Sequence, residues 1–429
     1  MSRSGWFRKQ QPVLADDGTS PMLADDGTSA AKPSGSRLKG RQRVALTASG
    51  AAMVLGAGVA IVAFGSPGSH AAPVSAAQAA AAAKQDQPAV PLQVLSVTPA
   101  SGAKGVNGAA PIKVQFSAPL AANTAMPTLS PHITGSWQVE GDTAVFTPAV
   151  GYFENTKVKL TIPRGASGMR SVAGASAGSG GLLAASVTQT FTTGSFGTLA
   201  LQQALTRLGY LPLTWTPKSK SFVTPSSANA VLFAAYRPPA GTFGWTGSYP
   251  SYLTSQWKAG LANILDVGAV RAFESVTGLT MDGVAGHTVW SHLLSAVAKG
   301  KSNPNGYTYA LANQHSPETI IIWHNGHEVL RSLVNTGIPA SPTVDGTFPV
   351  YLKFYFTYMK GTNPDGSKYD DPVYYANYFN GGDAVHQFAR YSYGWYQSLG
   401  CVELPWAAAK TAYSYLSYGS LVTVTGPVA

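Results

Sequence analysis

A single cysteine occurs in the 429 residues, Cys401, directly after Ser398-Leu399-Gly400, with His386 fifteen positions upstream. A free thiol has a pKa of about 8.5 and is only a few per cent ionised at neutral pH, so it needs a nearby imidazole to become a nucleophile. A glycine beside it lets main-chain N–H groups approach a developing oxyanion, each such donor contributing about 2.7–4 kcal/mol. Cysteine, histidine and a glycine turn in this order suit acyl transfer through a covalent intermediate. The plain alternative is an inert buried thiol. Arg390 is the nearest cation to His386 and a candidate for meeting a substrate carboxylate. Tyr391, Tyr393, Trp395 and Trp406 either wall a groove or are ordinary packing.

The other histidines point away from metal chemistry, and neither a metal nor a cofactor is expected. His287 and His292 are five apart, a poor helical spacing for two ligands of one ion. His324 and His327 flank Asn325-Gly326, a strong hairpin signal, and are expected to face water.

The elements that must position Cys401 and His386 follow from hydrophobic period and turn signals. After a polar linker at 299–306, the last part of the chain (307–429) is β-patterned. Ile320–Trp323 and Glu328–Val334 flank the Asn-Gly turn, and Val350–Tyr355 is a further strand. A long aromatic excursion from Thr357 to Asn380, with its own turn at Asn363-Pro364-Asp365-Gly366, is expected to act as a flap.

Upstream, 196–298 shows a helical period. Leu201, Leu205 and Leu208 share a face that Gly209 ends, and further helices are expected around Gly268–Val276 and Val289–Leu294. About 50 residues rich in aromatics and proline interrupt this block between Tyr210 and Asp266. From 92 to 195 short runs such as Ile112–Phe116, Ser136–Val139, Ala144–Thr147 and Lys157–Ile162 alternate with turns, the pattern of a β-sandwich.

The N-terminal segments read differently. Residues 1–43 are expected to be disordered and carry a short duplication, Leu14–Ser20 and Leu23–Ser29. Residues 44–64 are uncharged and as long as a bilayer-crossing helix, with Arg37, Lys39, Arg41 and Arg43 before them. The expectation is a single-pass membrane anchor with everything after it outside the cytoplasm, joined by a linker at 65–91. Cleavage near Ser69-His70-Ala71 or Val74-Ser75-Ala76 would instead release a secreted protein.

Only 11% of residues are charged, against roughly 25% in ordinary soluble proteins. The net charge is +10, but the cations are scattered without a nucleic-acid motif, so nucleic acid is not expected as a partner. An anionic wall or membrane surface fits better.

The order Tyr307 and Gln314, Asn325-Gly326, Thr336-Gly337, Pro342-Thr343-x-Asp345-Gly346-x-Phe348, His386, Ser398-x-Gly400-Cys401-Val402, then an alanine-rich helix and a closing strand, resembles an L,D-transpeptidase catalytic domain over 307–424. The helical block resembles a small peptidoglycan-binding module, and the sandwich resembles bacterial immunoglobulin-like modules. The fold expected is therefore multidomain and mainly β: transmembrane helix, Ig-like sandwich, helical module, mostly-β catalytic domain.

The resemblance implies peptidoglycan stem peptides as the partner. Cys401 would be the nucleophile, His386 its base, the main chain at Gly400 and Cys401 the oxyanion hole, and Ser398 a shaper of that turn. The product would be a 3→3 cross-link with release of D-alanine. An L,D-carboxypeptidase or a non-catalytic wall-binding scaffold are the alternatives. The chain departs from the family pattern at Gln387, Leu399 and Glu403, where many members carry Gly, a second His, and Arg or Asn. Altered donor preference or slower turnover is expected from these.

Overall fold

The computed structural model describes residues 90–165, 167–172 and 181–426, all within one of the chain's two compact units. The expected anchor at 44–64 lies outside the described residues, as do the tail before it and most of the linker after it. Among the described residues no helix is long and apolar enough to cross a membrane.

Alternation of side chains builds the first layer. Strands β1 (Val94–Thr98), β2 (Ile112–Phe116), β3 (Thr128–Ser130), β4 (Gly135–Glu140), β5 (Thr143–Pro148), β6 (Lys157–Ile162) and β7 (Val187–Thr192) form two sheets, ordered β1-β2-β5-β4 and β3-β6-β7. Ile112, Val114 and Phe116 of β2 and Val158, Leu160 and Ile162 of β6 turn inward while their neighbours face out, and they meet in one core with Phe146 and Phe191. The three-residue β3 is too short for a sequence pattern to reveal.

The helical block follows. Helix α1 (Thr198–Arg207) ends before Gly209, whose φ of +75° favours glycine. The interrupting segment folds as β8 (Leu213–Pro217) paired with β9 (Gly241–Trp245), with α2 (Ala228–Tyr236) between them and a single turn, α3 (Ser251–Thr254), after. Helix α4 (Ile264–Thr277) opens on a reciprocal cap between Asn263 and Asp266 and closes on left-handed Gly278. Helix α5 (His287–Ala298) completes the block. Buried Gln202 of α1 ties these pieces together, donating to the carbonyls of Lys258 and Leu261 and to Asp266, and accepting from the Gly260 amide.

Two further sheets make up the last part. The first, of five strands, has the order β12-β11-β10-β18-β13: β10 (Thr308–Asn313), β11 (Thr319–His324), β12 (His327–Leu333), β13 (Gly346–Pro349) and β18 (Leu421–Thr425). The second, of four, is β14-β15-β16-β17: β14 (Leu352–Thr362), β15 (Lys368–Asn380), β16 (Asp383–Gln387) and β17 (Val402–Leu404), with helix α6 (Trp406–Tyr415) following. Ala310, Ala312, Val422 and Val424 face Val385, Val402, Leu404 and the α6 residues Ala409 and Ala412 in a shared core. Lys353 at the base of β14 donates to the carbonyls of Tyr413 and Leu416 at the end of α6. Its ammonium lies 4.2 Å from the Tyr413 ring centre, and burial brings its pKa down to about 8. The hairpin is thereby fastened to the helix that closes the domain.

The helical block, expected as a wall-binding module, also packs against the last part of the chain. Tyr309, Leu311 and Leu421, on the other face of the five-stranded sheet, pack into the same core as Leu265, Val270, Phe273 and Trp290. A Cβ at Gly268 of α4 would lie 2.6 Å from the Gly419 carbonyl oxygen, so helix and turn meet backbone to backbone. The block is the back layer of the catalytic sheet, because β10 is buried on both faces and needs apolar cover on each. The 299–306 connection is also held in place: Asn303 bonds the Leu208 carbonyl through its backbone and the Gly209 and Gly306 carbonyls through its side chain.

His324 departs from the water-facing turn residue expected. It is half-buried, with Nδ1 3.0 Å from the Thr308 hydroxyl and its ring 5.2 Å from that of Tyr415. His327 is exposed.

Candidate functional site

Strands β16 and β17 run parallel, with Val385 opposite Val402 and His386 opposite Glu403. Side chains alternate along a strand, and in-register neighbours project to the same side. Val385, Val402 and Leu404 enter the core. His386, Glu403 and Cys401, which immediately precedes β17, therefore share the other face. The fifteen-residue separation is needed because parallel strands cannot be joined by a tight turn.

The turn before the thiol is built by Ser398 and Gly400. Ser398 Oγ donates to the Cys401 carbonyl at 2.6 Å and accepts from the Gly400 amide at 3.2 Å. Gly400 has φ +112°, a conformation that side chains resist. The Gly400 N–H is thus spent on Ser398, which alters the expected oxyanion hole: that donor is engaged inside the turn. Leu399, in the position of a possible second histidine, gives its carbonyl to the Ser341 hydroxyl at 3.0 Å.

His386 is buried, and its Nδ1 lies 2.8 Å from the Gln387 carbonyl oxygen. That acceptor keeps the proton on Nδ1 and leaves Nε2 to accept one. Burial lowers the imidazole's pKa, with Arg390 adding to the fall and Glu403, the Gln387 carbonyl and Asp371 opposing it. Burial thus favours the neutral ring, the form in which a histidine can accept a proton, while making it a weaker base.

The aromatic excursion is one long hairpin, β14 paired with β15. Its Met359 sulfur lies 4.0 Å from Cys401 Sγ, which also lies 3.8 Å from the Gly382 carbonyl oxygen. Asp371 pairs with Met359 across the hairpin and Tyr369 with Gly361, so these side chains project from the face that meets the thiol. The phenols of Tyr369 and Tyr378 are raised by burial first and by the nearby Cys401 charge second. Tyr351 is raised by burial, then by Asp383, with Cys401 also contributing. Met359, Tyr369 and Asp371 lie in the excursion expected to act as a flap, but nothing in their spacing singled out these residues, or the buried Asp383, from their neighbours.

Behind the thiol, the strip Asn335-Thr336-Gly337 braces the turn. Asn335 exchanges backbone hydrogen bonds with Glu403, and the Thr336 carbonyl accepts from both Gln397 and Ser398. Buried Glu318 fastens the strip by accepting from the Thr336 amide at 2.6 Å and its hydroxyl at 2.8 Å. Burial raises the Glu318 pKa, and those two donors hold the rise in check. The Thr336-Gly337 pair signalled the strip, whereas Glu318 carries no signal in the sequence.

Arg390, expected to meet a substrate carboxylate, instead makes a bidentate pair with Glu403 at 2.7 Å on both arms. Tyr391 is fully exposed and Trp395 is about half exposed. Trp406 packs at the start of α6 against Tyr374 and Tyr375, with ring centres 5.0 and 5.3 Å away.

Residues 307–424 match the family model of the YkuD L,D-transpeptidase catalytic domain, and residues 88–193 match that of a bacterial Ig-like domain. The chain therefore carries an L,D-transpeptidase-type catalytic domain and an Ig-like domain in a mainly-β, multidomain architecture. Among solved structures, an L,D-transpeptidase from Mycobacterium smegmatis aligns at 16% identity over 79% of this chain and all of that one, with a TM-score of 0.26. The catalytic domain of the E. faecium L,D-transpeptidase aligns at 27% identity over 28% of this chain and 96% of that one, TM-score 0.26. L,D-transpeptidase 3 from Mycobacterium tuberculosis aligns at 15% identity over 78% and 98%, TM-score 0.26. No curated protein matches.

Proposed function

We propose that this protein is a peptidoglycan L,D-transpeptidase in which Cys401 is the nucleophile and His386 its base. The observation that carries the reading is the parallel β16–β17 register, which sets Cys401 and His386 on one face beneath a hairpin, within the stretch that matches the catalytic-domain model.

In the first half-reaction His386 Nε2 takes the thiol proton and Sγ attacks the carbonyl before the terminal D-alanine of a tetrapeptide stem. The C–N bond breaks, D-alanine leaves with the proton from the imidazolium, and a thioester remains. In the second, an amine of a neighbouring stem attacks the thioester. His386 accepts the amine proton and the thiolate departs, leaving a 3→3 cross-link. The neutral, buried imidazole suits both proton transfers. Met359, Tyr369 and the rest of the hairpin exclude water, which favours an amine over hydrolysis. The uncharged run at 44–64 would hold the enzyme at the membrane with its described domains in the wall space, where their net positive charge attracts an anionic polymer.

Incubation of the protein with disaccharide tetrapeptides, followed by mass spectrometry, tests the proposal. Cross-linked dimers with loss of D-alanine are expected. Cys401→Ala should abolish them, and His386→Gln should slow them about 10²–10⁴-fold. Tripeptides without dimers would assign a carboxypeptidase, and unchanged substrate would overturn the enzymatic role.

A further inference from the structure

Between His386 and Cys401 the chain makes a long connection, 388–400, without regular secondary structure. Arg390 ties it together. Its guanidinium grips Glu403 on β17 through two 2.7 Å contacts, donates to the Gln397 carbonyl at 3.2 Å, and lies 4.6 Å from the centre of the Phe388 ring. The Glu403 side chain is only 5% exposed and that of Arg390 29%. A pair this secluded is expensive to desolvate, and losing one partner would leave an uncompensated charge in the interior. Glu403 is also the residue directly opposite His386, on the face the thiol shares. An unpaired carboxylate there would compete for the imidazole.

We propose that Arg390 and Glu403 form a positioning clamp for the Cys401–His386 pair, in which Arg390 holds the Glu403 carboxylate off the imidazole and braces the connection between the two reacting residues. The inference rests on the proposed roles of Cys401 and His386, and it removes Arg390 from the set of groups free to meet substrate. The charged groups facing His386 are Glu403 from β17, Asp371 from β15 and Arg390 from the connection itself, with the Gln387 carbonyl on Nδ1. Paired, Arg390 offsets part of the Glu403 charge felt by the imidazole. Without Arg390, the bare carboxylate adds to Asp371 and keeps protons on the site. Whichever of thiol and imidazole titrates first, both apparent steps then move to higher pH. Without Glu403, the bare guanidinium moves them to lower pH.

The test is the rate of Cys401 alkylation by iodoacetamide against pH, measured on the full chain. Arg390→Gln is expected to move the inflection up by about one pH unit, and Glu403→Gln to move it down. The double variant Arg390→Gln/Glu403→Gln should return close to the starting profile, since it restores neutrality. Arg390→Lys retains the charge and should keep the original inflection. It also replaces Arg390→Gln as the informative variant if the latter fails to fold. An inflection unmoved in both single variants overturns the clamp, as does a double variant shifted as far as Arg390→Gln, or an Arg390→Lys inflection moved up by a full unit. His386→Gln separates the two levels. A profile unaffected by that change refutes the Cys401–His386 pair itself, whereas a profile that responds to His386 but not to Arg390 or Glu403 refutes the clamp alone.

Discussion

Ser398 joins two backbone groups of the turn before the thiol with one hydroxyl, accepting from Gly400 and donating to the Cys401 carbonyl. Replacing it by alanine strands a buried donor and an acceptor, which costs about 1–3 kcal/mol. The loss falls on the turn that aims the nucleophile, where a displacement of about 1 Å can cost as much as 10²-fold in rate. Ser398→Ala is therefore expected to keep the thiol and the fold yet acylate with a carbapenem at least tenfold more slowly. An unchanged acylation rate would show that the backbone holds the turn unaided. At this scale the sequence was most legible where chemistry is rare: a lone cysteine after glycine, with one histidine at a usable distance. Arg390 was misleading because a guanidinium beside a site looks free until its partner is known. That partner is thirteen positions away, and only the strand register brings it close.

Helix α4 carries two buried carboxylates, one at its start and one near its end. Burial raises Asp266 to about 6 and Glu274 to about 7. Glu274 Oε2 accepts from the Gly283 amide at 2.8 Å, while Oε1 is buried without a hydrogen-bond partner. A carboxyl whose folded pKa lies above its unfolded value stabilises the fold in its protonated form. That contribution is complete below about pH 4.5 and is lost as pH rises through about 7. His386 and His324, whose pKa values burial lowers, change stability in the opposite sense near the same range, so the whole-protein curve mixes these effects. The difference between Glu274→Gln and the parent isolates one of them. Melting temperatures should coincide near pH 4.5, with the variant increasingly the more stable towards pH 8. A constant difference across that range would argue that Glu274 does not titrate between these limits. The helix itself was legible from its apolar period. The hairpin β14–β15 was legible as an aromatic excursion with a turn, expected to act as a flap, but which of its faces meets Cys401 was not, since an alternating pattern does not say which side turns to the site.

Among the described residues one apolar core crosses the boundaries expected on both sides of the helical block. It runs from Ala109 in the Ig-like domain through Leu205, Phe273 and Trp290 to Tyr309 and Leu421 of the catalytic sheet. At the first seam the Asn229 side chain bonds both the Pro148 carbonyl and the Gly151 amide, Tyr236 donates to the Tyr152 carbonyl, and Phe153 packs on Phe196 and His287. At the second, α4 lies backbone to backbone against the turn at Gly419. The piece 307–429 expressed alone should bind a hydrophobic dye and melt well below a piece spanning 197–429, because Tyr309, Leu311 and Leu421 lose their cover. Equal melting temperatures would refute the back-layer role.

By itself the sequence determined the nucleophile and base candidates, the alternating strands of the sandwich, the helix end at Gly209, and the mainly-β character. These follow from residue type and local period, which act over a few positions. Only the tertiary structure decided that Arg390 is held by Glu403, that the Gly400 amide is taken by Ser398, that Met359 is the hairpin residue beside Cys401, and that the helical block backs the five-stranded sheet. Those outcomes depend on which strands pair and in which register, and so on contacts between segments far apart in the chain, where side-chain chemistry alone leaves many partners open.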